Sequence, residues 1–176
     1  MAIYSYKNLR PHYNTSNFLA DNCAIIGEVL MGENANVWFQ TVVRGDVNCI
    51  EIGENTNIQD LCMLHVTEKS PLKIGKNTSV GHSVTLHGCS VGDGCLIGMG
   101  ATLLDDCEIG EMSLVAAGSV VTPRKKFPPK SMIMGSPARV VRELTEEEVR
   151  FVSTHYKSYL SYARDFNDPE IVKRLD

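Results

Sequence analysis

An aliphatic side chain returns at every sixth position over most of this chain, and this period constrains the fold more than any other feature. A small or slender residue follows most of these aliphatic residues four positions later. A fixed six-residue period is typical of hexapeptide β-helices, in which each repeat forms one face of a coil. Neither an α-helix nor an alternating strand produces it. The aliphatic series is Leu19, Ile25, Met31, Val37, Val43, Ile52, Ile58, Leu64, Ile74, Val80, Leu86, Val91, Ile97, Leu103, Ile109, Val115 and Val121.

The repeat divides the chain into four segments. We predict an all-β solenoid, a parallel β-helix of hexapeptide repeats, over residues 19–123. Residues 1–18 are too irregular for the repeat and form a lead segment along the first coils, while residues 124–144, rich in proline and lysine, are predicted to form an exit loop. Thr145 and Glu148 match a capping box, and the apolar spacing after them predicts a helix over 145–166 that packs on the β-helix.

The repeat also predicts which side chains stack. Three repeats make one coil, so equivalent positions recur every 18 residues plus any insertion. Arg44, His65 and His87 each follow a repeat aliphatic residue directly, at spacings of 21 and 22 residues, which leave room for one coil and a short insertion. We therefore expect these three residues to stack on one face, about 4.8 Å apart. His82 falls on the neighbouring face, one coil above Asp60.

Three histidines placed in this way suggest a metal site. Three imidazoles are the ligand set of a catalytic zinc ion that keeps one open position. His82 and His87 are five residues apart in extended chain, up to roughly 16 Å, so a single chain would struggle to bring all three rings to one ion. Three copies around a threefold axis could set His65 and His87 of one subunit against His82 of the next. The sequence therefore predicts a homotrimer with metal at its interfaces.

Three stretches of the chain resemble the γ-class carbonic anhydrase family. They are RGDVNCIEIGENTNIQDLCMLH (44–65), SVGHSVTLHG (79–88) and GSPARVVREL (135–144). The resemblance implies a left-handed parallel β-helix with a C-terminal α-helix, assembled as a homotrimer. It also implies that His65, His82 and His87 hold the metal ion, whose substrate would be CO2 or bicarbonate.

The same resemblance implies roles for polar residues near the histidines. It assigns Asn57 and Gln59 to the metal-bound water and its orientation, and a glutamine amide is able to orient hydroxide or a bicarbonate oxygen. It assigns Arg44 and Asp46 to a salt bridge between subunits, which their charges allow to be bidentate. We place Asp60, the residue beneath His82, at the same interface.

Two further candidates are less directly supported. The chain has Val47 where the best-studied family pattern has a glutamate, and the loop after the first histidine is short. Glu68, three residues after His65, is a candidate proton shuttle, with a solvated loop carboxylate as the alternative. By resemblance a tyrosine of the C-terminal helix reaches the metal pocket, and Tyr159 is the favoured one, with plain helix packing as the alternative.

The predicted function is that of a metal-dependent carbonic anhydrase, in which a metal-bound hydroxide hydrates CO2 reversibly. A divalent ion on three neutral imidazoles lowers the pKa of a bound water to about 7. Zn²⁺ is the expected ion, and Fe²⁺ and Co²⁺ accept the same ligands. A metal-dependent acyl-CoA thioesterase or another hydrolase at this site, and a non-catalytic metal-binding trimer, are the alternatives. Hexapeptide acyltransferases share the fold but usually offer one histidine base.

Composition excludes some partners and suggests a compartment. The net charge of −4 gives no electrostatic reason to expect nucleic acid, and no apolar run approaches the length of a membrane span. The six cysteines form no CxxC pair, and the first residues lack the layout of a secretory signal. We therefore predict six free thiols, a reducing compartment and a cytoplasmic location.

Overall fold

The chain winds into a triangular β-helix of about seven turns, as seen in a computed structural model that describes residues 1–175. Its strands form one sheet of eleven strands and one of eight, and all strand pairs are parallel except the one that the last strand makes at the edge of the smaller sheet. Two long strands bend around a corner and so join two faces of the prism into the larger sheet. The predicted left-handed hexapeptide β-helix is confirmed.

The strands group into three faces, which we call A, B and C. Face A contains β1 (Ala2–Tyr4), the first parts of β3 (Ala24–Met31) and β5 (Val42–Ile52), then β7 (Met63–His65), β10 (Thr85–His87), β13 (Thr102–Leu103) and β16 (Val120–Val121). Face B contains the second parts of β3 and β5, then β8 (Leu72–Ile74), β11 (Ser90–Val91), β14 (Glu108–Ile109) and β17 (Lys126–Phe127). Face C contains β2 (Phe18–Leu19), β4 (Asn36–Val37), β6 (Asn57–Ile58), β9 (Ser79–Val80), β12 (Leu96–Ile97), β15 (Leu114–Val115), β18 (Ser131–Gly135) and β19 (Ala138–Glu143).

The repeat aliphatic residues form the core. All of them are buried except Leu19, which is partly buried, and they stack in register from coil to coil. Each such side chain contributes about 1.5–3 kcal/mol when it leaves water. The slender residues four positions later face inward too, including Cys23, Cys62, Cys95 and Cys107. All six cysteines are free, as predicted.

One corner of the prism is lined by a ladder of asparagines. Asn34, Asn55 and Asn77 occupy equivalent turns with φ of 56°, 58° and 56°, a left-handed conformation that asparagine tolerates better than most residues. The Asn34 amide donates to Asn55 Oδ1 at 3.1 Å, and the Asn55 amide donates to Asn77 Oδ1 at 3.0 Å. The side chains thereby link three coils at the point where the backbone turns.

Two insertions interrupt the coils where the spacing predicted them. The register between β3 and β5 shifts between Gly27 and Val29, which accommodates the extra residues of β5. The second insertion is the loop 66–71 between β7 and β8. Gly27 has a φ of 76°, and a Cβ there would lie 2.1 Å from the Gly45 carbonyl oxygen, so this close approach of two coils requires glycine.

The segment 124–144, expected to be an exit loop, forms strands instead. The six-residue period continues beyond Val121 to Phe127 and Ile133, both buried, so β17 and β18 complete another coil. β18 then pairs with β19 as an antiparallel hairpin. Prolines in this segment are compatible with the fold because Pro128 and Pro129 occupy a turn between β17 and β18, where no ladder hydrogen bond is needed.

The chain ends in two helices, not in the single predicted one. They are α1 (Glu146–Thr154) and α2 (Tyr156–Asn167), which meet at His155. The capping box of Thr145 and Glu148 is present. α2 packs an aromatic face on the first coils, where Phe166 contacts the rings of Phe18 and Trp38. No helix of the described residues is long and apolar enough to cross a membrane.

Candidate metal centre

Two of the three predicted ligands lie side by side on face A. Arg44, His65 and His87 are register neighbours in successive coils, as the repeat arithmetic predicts. His65 Nδ1 lies 3.2 Å from His87 Nε2. Two nitrogen ligands of a tetrahedral zinc ion, each about 2.0–2.1 Å from the metal, lie roughly 3.3–3.4 Å apart. The spacing of this pair therefore suits one edge of a tetrahedral metal site.

A carboxylate holds the other nitrogen of each ring. His87 Nδ1 lies 2.6 Å from Asp105 Oδ1, and His65 Nε2 lies 3.0 Å from Asp46 Oδ1. Each carboxylate accepts a hydrogen bond from the N–H of the ring nitrogen it contacts, so in neutral rings His65 Nδ1 and His87 Nε2 carry lone pairs that face each other. Such an arrangement calls for a cation between them, either a proton or a metal ion. Carboxylate–histidine pairs of this kind commonly support metal ligands.

Asp46 is also paired with Arg44 of the same chain. The Arg44 guanidinium donates to Asp46 Oδ2 in a short ion pair. Burial raises the pKa of the Asp46 carboxyl, but hydrogen bonds from Arg44 and His65 outweigh it, so this pKa lies below its ordinary value. The carboxylate is therefore ionised while it holds His65. The predicted salt bridge between subunits stays a prediction, because this pair forms within one chain.

The third histidine, His82, lies apart from the other two, at the edge of face C. His82 Nδ1 lies 2.8 Å from Asp60 Oδ2, which leaves Nε2 as the available nitrogen. The Tyr159 hydroxyl of α2 lies 3.5 Å from Nε2, too far for a strong hydrogen bond. Burial and then the charge of Asp60 raise the pKa of Tyr159 to about 12. Tyr159 thus reaches the predicted ligand, and Asp60 supports that ligand from within the chain.

The donor set fits a site divided between chains. Within residues 1–175 of one chain, no group of three or more histidine, cysteine, aspartate or glutamate side chains could hold a metal ion. Each of the three histidines nevertheless has one nitrogen on a carboxylate and the other available for a ligand bond. Three neutral imidazoles prepared in this way are suitable ligands for a divalent transition metal.

A cavity of about 370 Å³ adjoins His82 between face C and α2. The imidazole of His82 is 42% exposed and borders this cavity. The lining combines small and apolar residues of face C with polar residues of the helices. Its members are Gln59, Gly81, His82, Leu96, Ile97, Gly98, Met99, His155, Ser158, Tyr159 and Tyr162.

A chain of buried hydrogen bonds orients the amide of Gln59. Gln59 Nε2 donates to Asn57 Oδ1 at 3.0 Å, and Asn57 Nδ2 donates to Ser79 Oγ at 2.8 Å. Asn57 Nδ2 also makes a longer contact of 3.4 Å with the backbone carbonyl of Thr78, which sets the direction of the Asn57 amide. Because Gln59 uses an N–H inside the protein, its carbonyl oxygen remains available to the cavity. Ser79 Oγ in turn lies 3.1 Å from His155 Nδ1.

The other predicted residue, Glu68, lies apart from the cavity. It is exposed in the loop after His65, where its backbone carbonyl accepts a hydrogen bond from Asn48 Nδ2 at 3.2 Å. Its role as a proton shuttle stays a prediction.

The sequence analysis missed Asp105 and His155. Asp105 could have been found, because it follows by two positions the repeat aliphatic Leu103, which lies one coil beyond Leu86.

Relatives of known family align with most of this chain. A mitochondrial gamma carbonic anhydrase 2 of Arabidopsis thaliana is 40% identical over 153 residues, which cover 84% of this chain and 55% of that protein. A carbonic anhydrase of Geobacillus kaustophilus is 46% identical over 158 residues, which cover 90% of this chain and 87% of that protein. The chain belongs to the γ-class carbonic anhydrase family. It spans only about half the length of the Arabidopsis relative.

Two further comparisons concern the fold of this γ-class chain. The family model described as bacterial transferase hexapeptide (six repeats) matches residues 71–104 and 88–123. The crystal structure of a hexapeptide transferase family protein from Anaplasma phagocytophilum superposes with a TM-score of 0.86 and 38% identity, covering 93% of this chain and 96% of that chain. Transferase names therefore accompany this fold as well, and the fold alone does not decide the reaction.

Proposed function

We propose that the protein is a metal-dependent carbonic anhydrase whose sites lie between the subunits of a homotrimer. The observation that carries this proposal is the facing pair of ring nitrogens of His65 and His87, 3.2 Å apart, with Asp46 and Asp105 on the opposite nitrogens. The family membership supplies the reaction, reversible hydration of CO2. His82 of the neighbouring subunit would supply the third ligand.

The residues of this chain divide the work of the site. His65, His82 and His87 would hold a divalent ion, for which we propose Zn²⁺, with Fe²⁺ and Co²⁺ suited to the same ligands. When bound, such an ion lowers the pKa of a water to about 7 and so supplies a nucleophile near neutral pH. The Gln59 carbonyl, held by Asn57, accepts a hydrogen bond from the oxygen that attacks CO2 and so orients it.

The cytoplasm is the proposed compartment, since all six cysteines are free. Hydrolysis of an acyl-CoA thioester at the same site, and metal binding without catalysis, remain outcomes that an assay would reveal. We place CO2 hydration first because two relatives that match most of this chain, those of Arabidopsis thaliana and Geobacillus kaustophilus, carry that activity in their names.

A subunit-mixing experiment tests the divided site. Each of the variants His82→Ala and His87→Ala should bind no metal by itself, because every interface of its trimer lacks a ligand. Unfolding the two together and refolding them should give mixed trimers in which one interface again has all three histidines. Metal content, measured on trimers isolated by size, should therefore return in part.

The matched control is a mixture of His65→Ala and His87→Ala. Both of these variants lack a ligand from the same half of the site, so their mixed trimers should remain without metal. If the His82→Ala and His87→Ala subunits form mixed trimers that never bind metal, the divided site is wrong. Binding by the control mixture would contradict it as well.

A further inference from the structure

His155 is a titratable group of the cavity to which neither the sequence nor the family resemblance assigned a role. It lies where α1 ends and α2 begins, it is half-buried, and it borders the same cavity as His82. Its ring packs between Phe151 and Tyr159, with ring centroids at 5.6 Å and 6.1 Å. The imidazole is therefore held in place by aromatic neighbours at the edge of the cavity that the reaction would use.

Hydration of CO2 requires a group that takes the released proton away from the site. Addition of water to CO2 forms one C–O bond and breaks one O–H bond, and the released proton must leave the site before the next turnover. The ordinary pKa of histidine, about 6.5, suits a proton carrier near neutral pH. The other titratable groups bordering the cavity among the described residues are His82, Tyr159 and Tyr162. His82 is assigned to the metal, and Tyr159, with its pKa raised to about 12, holds its own proton.

The surroundings of His155 accommodate both of its protonation states. Burial lowers the pKa of His155 below its ordinary value, so the ring is neutral and able to accept a proton at pH 7. Among the described residues, no aspartate, glutamate, lysine or arginine borders the cavity, so no fixed charge there holds the ring in one state. Asp60, which pairs with His82, is a carboxylate whose charge acts on Tyr159.

Ser79 provides a hydrogen-bond acceptor for the protonated ring. Its Oγ lies 3.1 Å from His155 Nδ1 and already accepts a hydrogen bond from the Asn57 amide. A hydroxyl oxygen has two lone pairs, so Ser79 is able to accept from both Asn57 and the Nδ1–H of an imidazolium. Nε2 is then the nitrogen that gains and loses the proton, while Nδ1–H remains on Ser79.

We propose that His155 Nε2 accepts the proton released by hydration and passes it to buffer in solvent. This inference rests on the proposed function. The proton leaves the water that adds to CO2, the bicarbonate keeps the new C–O bond, and the imidazolium returns to the neutral ring when buffer removes the proton. Glu68, the sequence candidate for this role, lies in a loop that does not border the cavity of its own chain, and its role stays a prediction.

The experiment separates the rate of proton removal from the rate of CO2 conversion. kcat/KM contains the steps up to release of bicarbonate, whereas the later proton removal limits only kcat. His155→Ala, loaded with zinc to the same content as wild type, should lose kcat on the order of a hundred-fold at low buffer concentration, with kcat/KM nearly unchanged. A high concentration of the bulky base 1,2-dimethylimidazole should restore kcat. His155→Asn should behave alike, and it retains a polar group near Ser79.

Two controls accompany these variants. His12→Asn removes an exposed histidine of the lead segment and should leave kcat unchanged. Histidine NMR titration of the protein provides a readout other than activity. The resonance missing from His155→Asn should titrate with a pKa below the ordinary histidine value. A ring that fails to titrate between pH 4 and 9 would overturn the proposal.

The possible failures are distinguishable. An active wild type whose His155 variants keep the wild-type kcat at low buffer overturns the role of His155 and leaves the proposed function intact. Variants that lose kcat/KM in the same proportion as kcat also overturn it, because His155 would then act on the conversion of CO2. A zinc-loaded wild type that does not hydrate CO2 overturns the proposed function, and the proton-accepting role with it.

Discussion

Each histidine of the candidate centre is prepared for metal by a carboxylate on its other nitrogen. The contact between His87 and Asp105, at 2.6 Å, is the shortest of the three. A carboxylate in this position sets the tautomer and orientation of the ring and raises its basicity. These supporting residues therefore determine how strongly the three histidines would bind an ion.

Asp105→Asn tests this support directly. The change keeps the shape of the side chain but removes the charge that holds His87, so zinc affinity should fall about 10–100-fold. Competition with a chelator measures the affinity, and circular dichroism should show an unchanged fold. Asp106→Asn is the matched control, because Asp106 is exposed and its φ of 59° suits asparagine. Equal affinities in the two variants would contradict the supporting role of Asp105.

The ligands were easier to predict than their partners. The order and spacing of His65, His82 and His87 are visible in the sequence because each occupies a defined position in the six-residue repeat. His155 offers no such signal. It lies between two helices outside the repeat, and only the packing of α1 and α2 on face C brings it to the cavity.

At the scale of elements, the six-residue repeat predicted the coils up to Val121. It did not predict the strands of residues 124–144. Phe127 and Ile133 continue the period, but the prolines and lysines around them resemble a loop when single residues are counted. The predicted helix started correctly at the Thr145 cap. The helix is divided at His155, which contacts Ser79 of face C, and the apolar spacing does not show this division.

The Glu148 carboxyl near the start of α1 should make the stability of the fold depend on pH. The Arg142 guanidinium, and then the Thr145 backbone N–H, lower the pKa of Glu148 from 4.5 to about 2. A carboxyl whose pKa is lower in the folded state stabilises the fold above its unfolded pKa, and this contribution is lost as pH falls from about 4.5 to 2. Glu148→Gln should therefore lower the melting temperature at pH 6, and its difference from wild type should shrink toward pH 2.

Glu147→Gln is the matched control for this measurement, because Glu147 is an exposed residue of the same helical turn. Glu147→Gln should lower the melting temperature at pH 6 by less than Glu148→Gln does. Acid also protonates other groups of the protein, but these affect wild type and variant alike. A difference between Glu148→Gln and wild type that stays constant from pH 6 to 2 would contradict the assigned ion pair.

At the scale of the whole molecule, the chain carries the three proposed metal ligands on different parts of its surface. His65 and His87 lie on face A, whereas His82 adjoins the cavity beneath α2. The five-residue spacing of His82 and His87 in extended chain already suggested a site shared between subunits. The partner surfaces depend on side chains from many coils, which is why the sequence predicts a trimer without giving its contacts.

The central claim is that this divided site hydrates CO2 when it holds metal. Stopped-flow measurement of CO2 hydration tests it most directly, on protein loaded anaerobically with zinc or ferrous iron and assayed for metal content. His87→Ala, which lacks one ligand, is the control. We predict hydration that rises in proportion to bound metal and is absent from the variant. Full metal occupancy without hydration above that of His87→Ala would contradict the account.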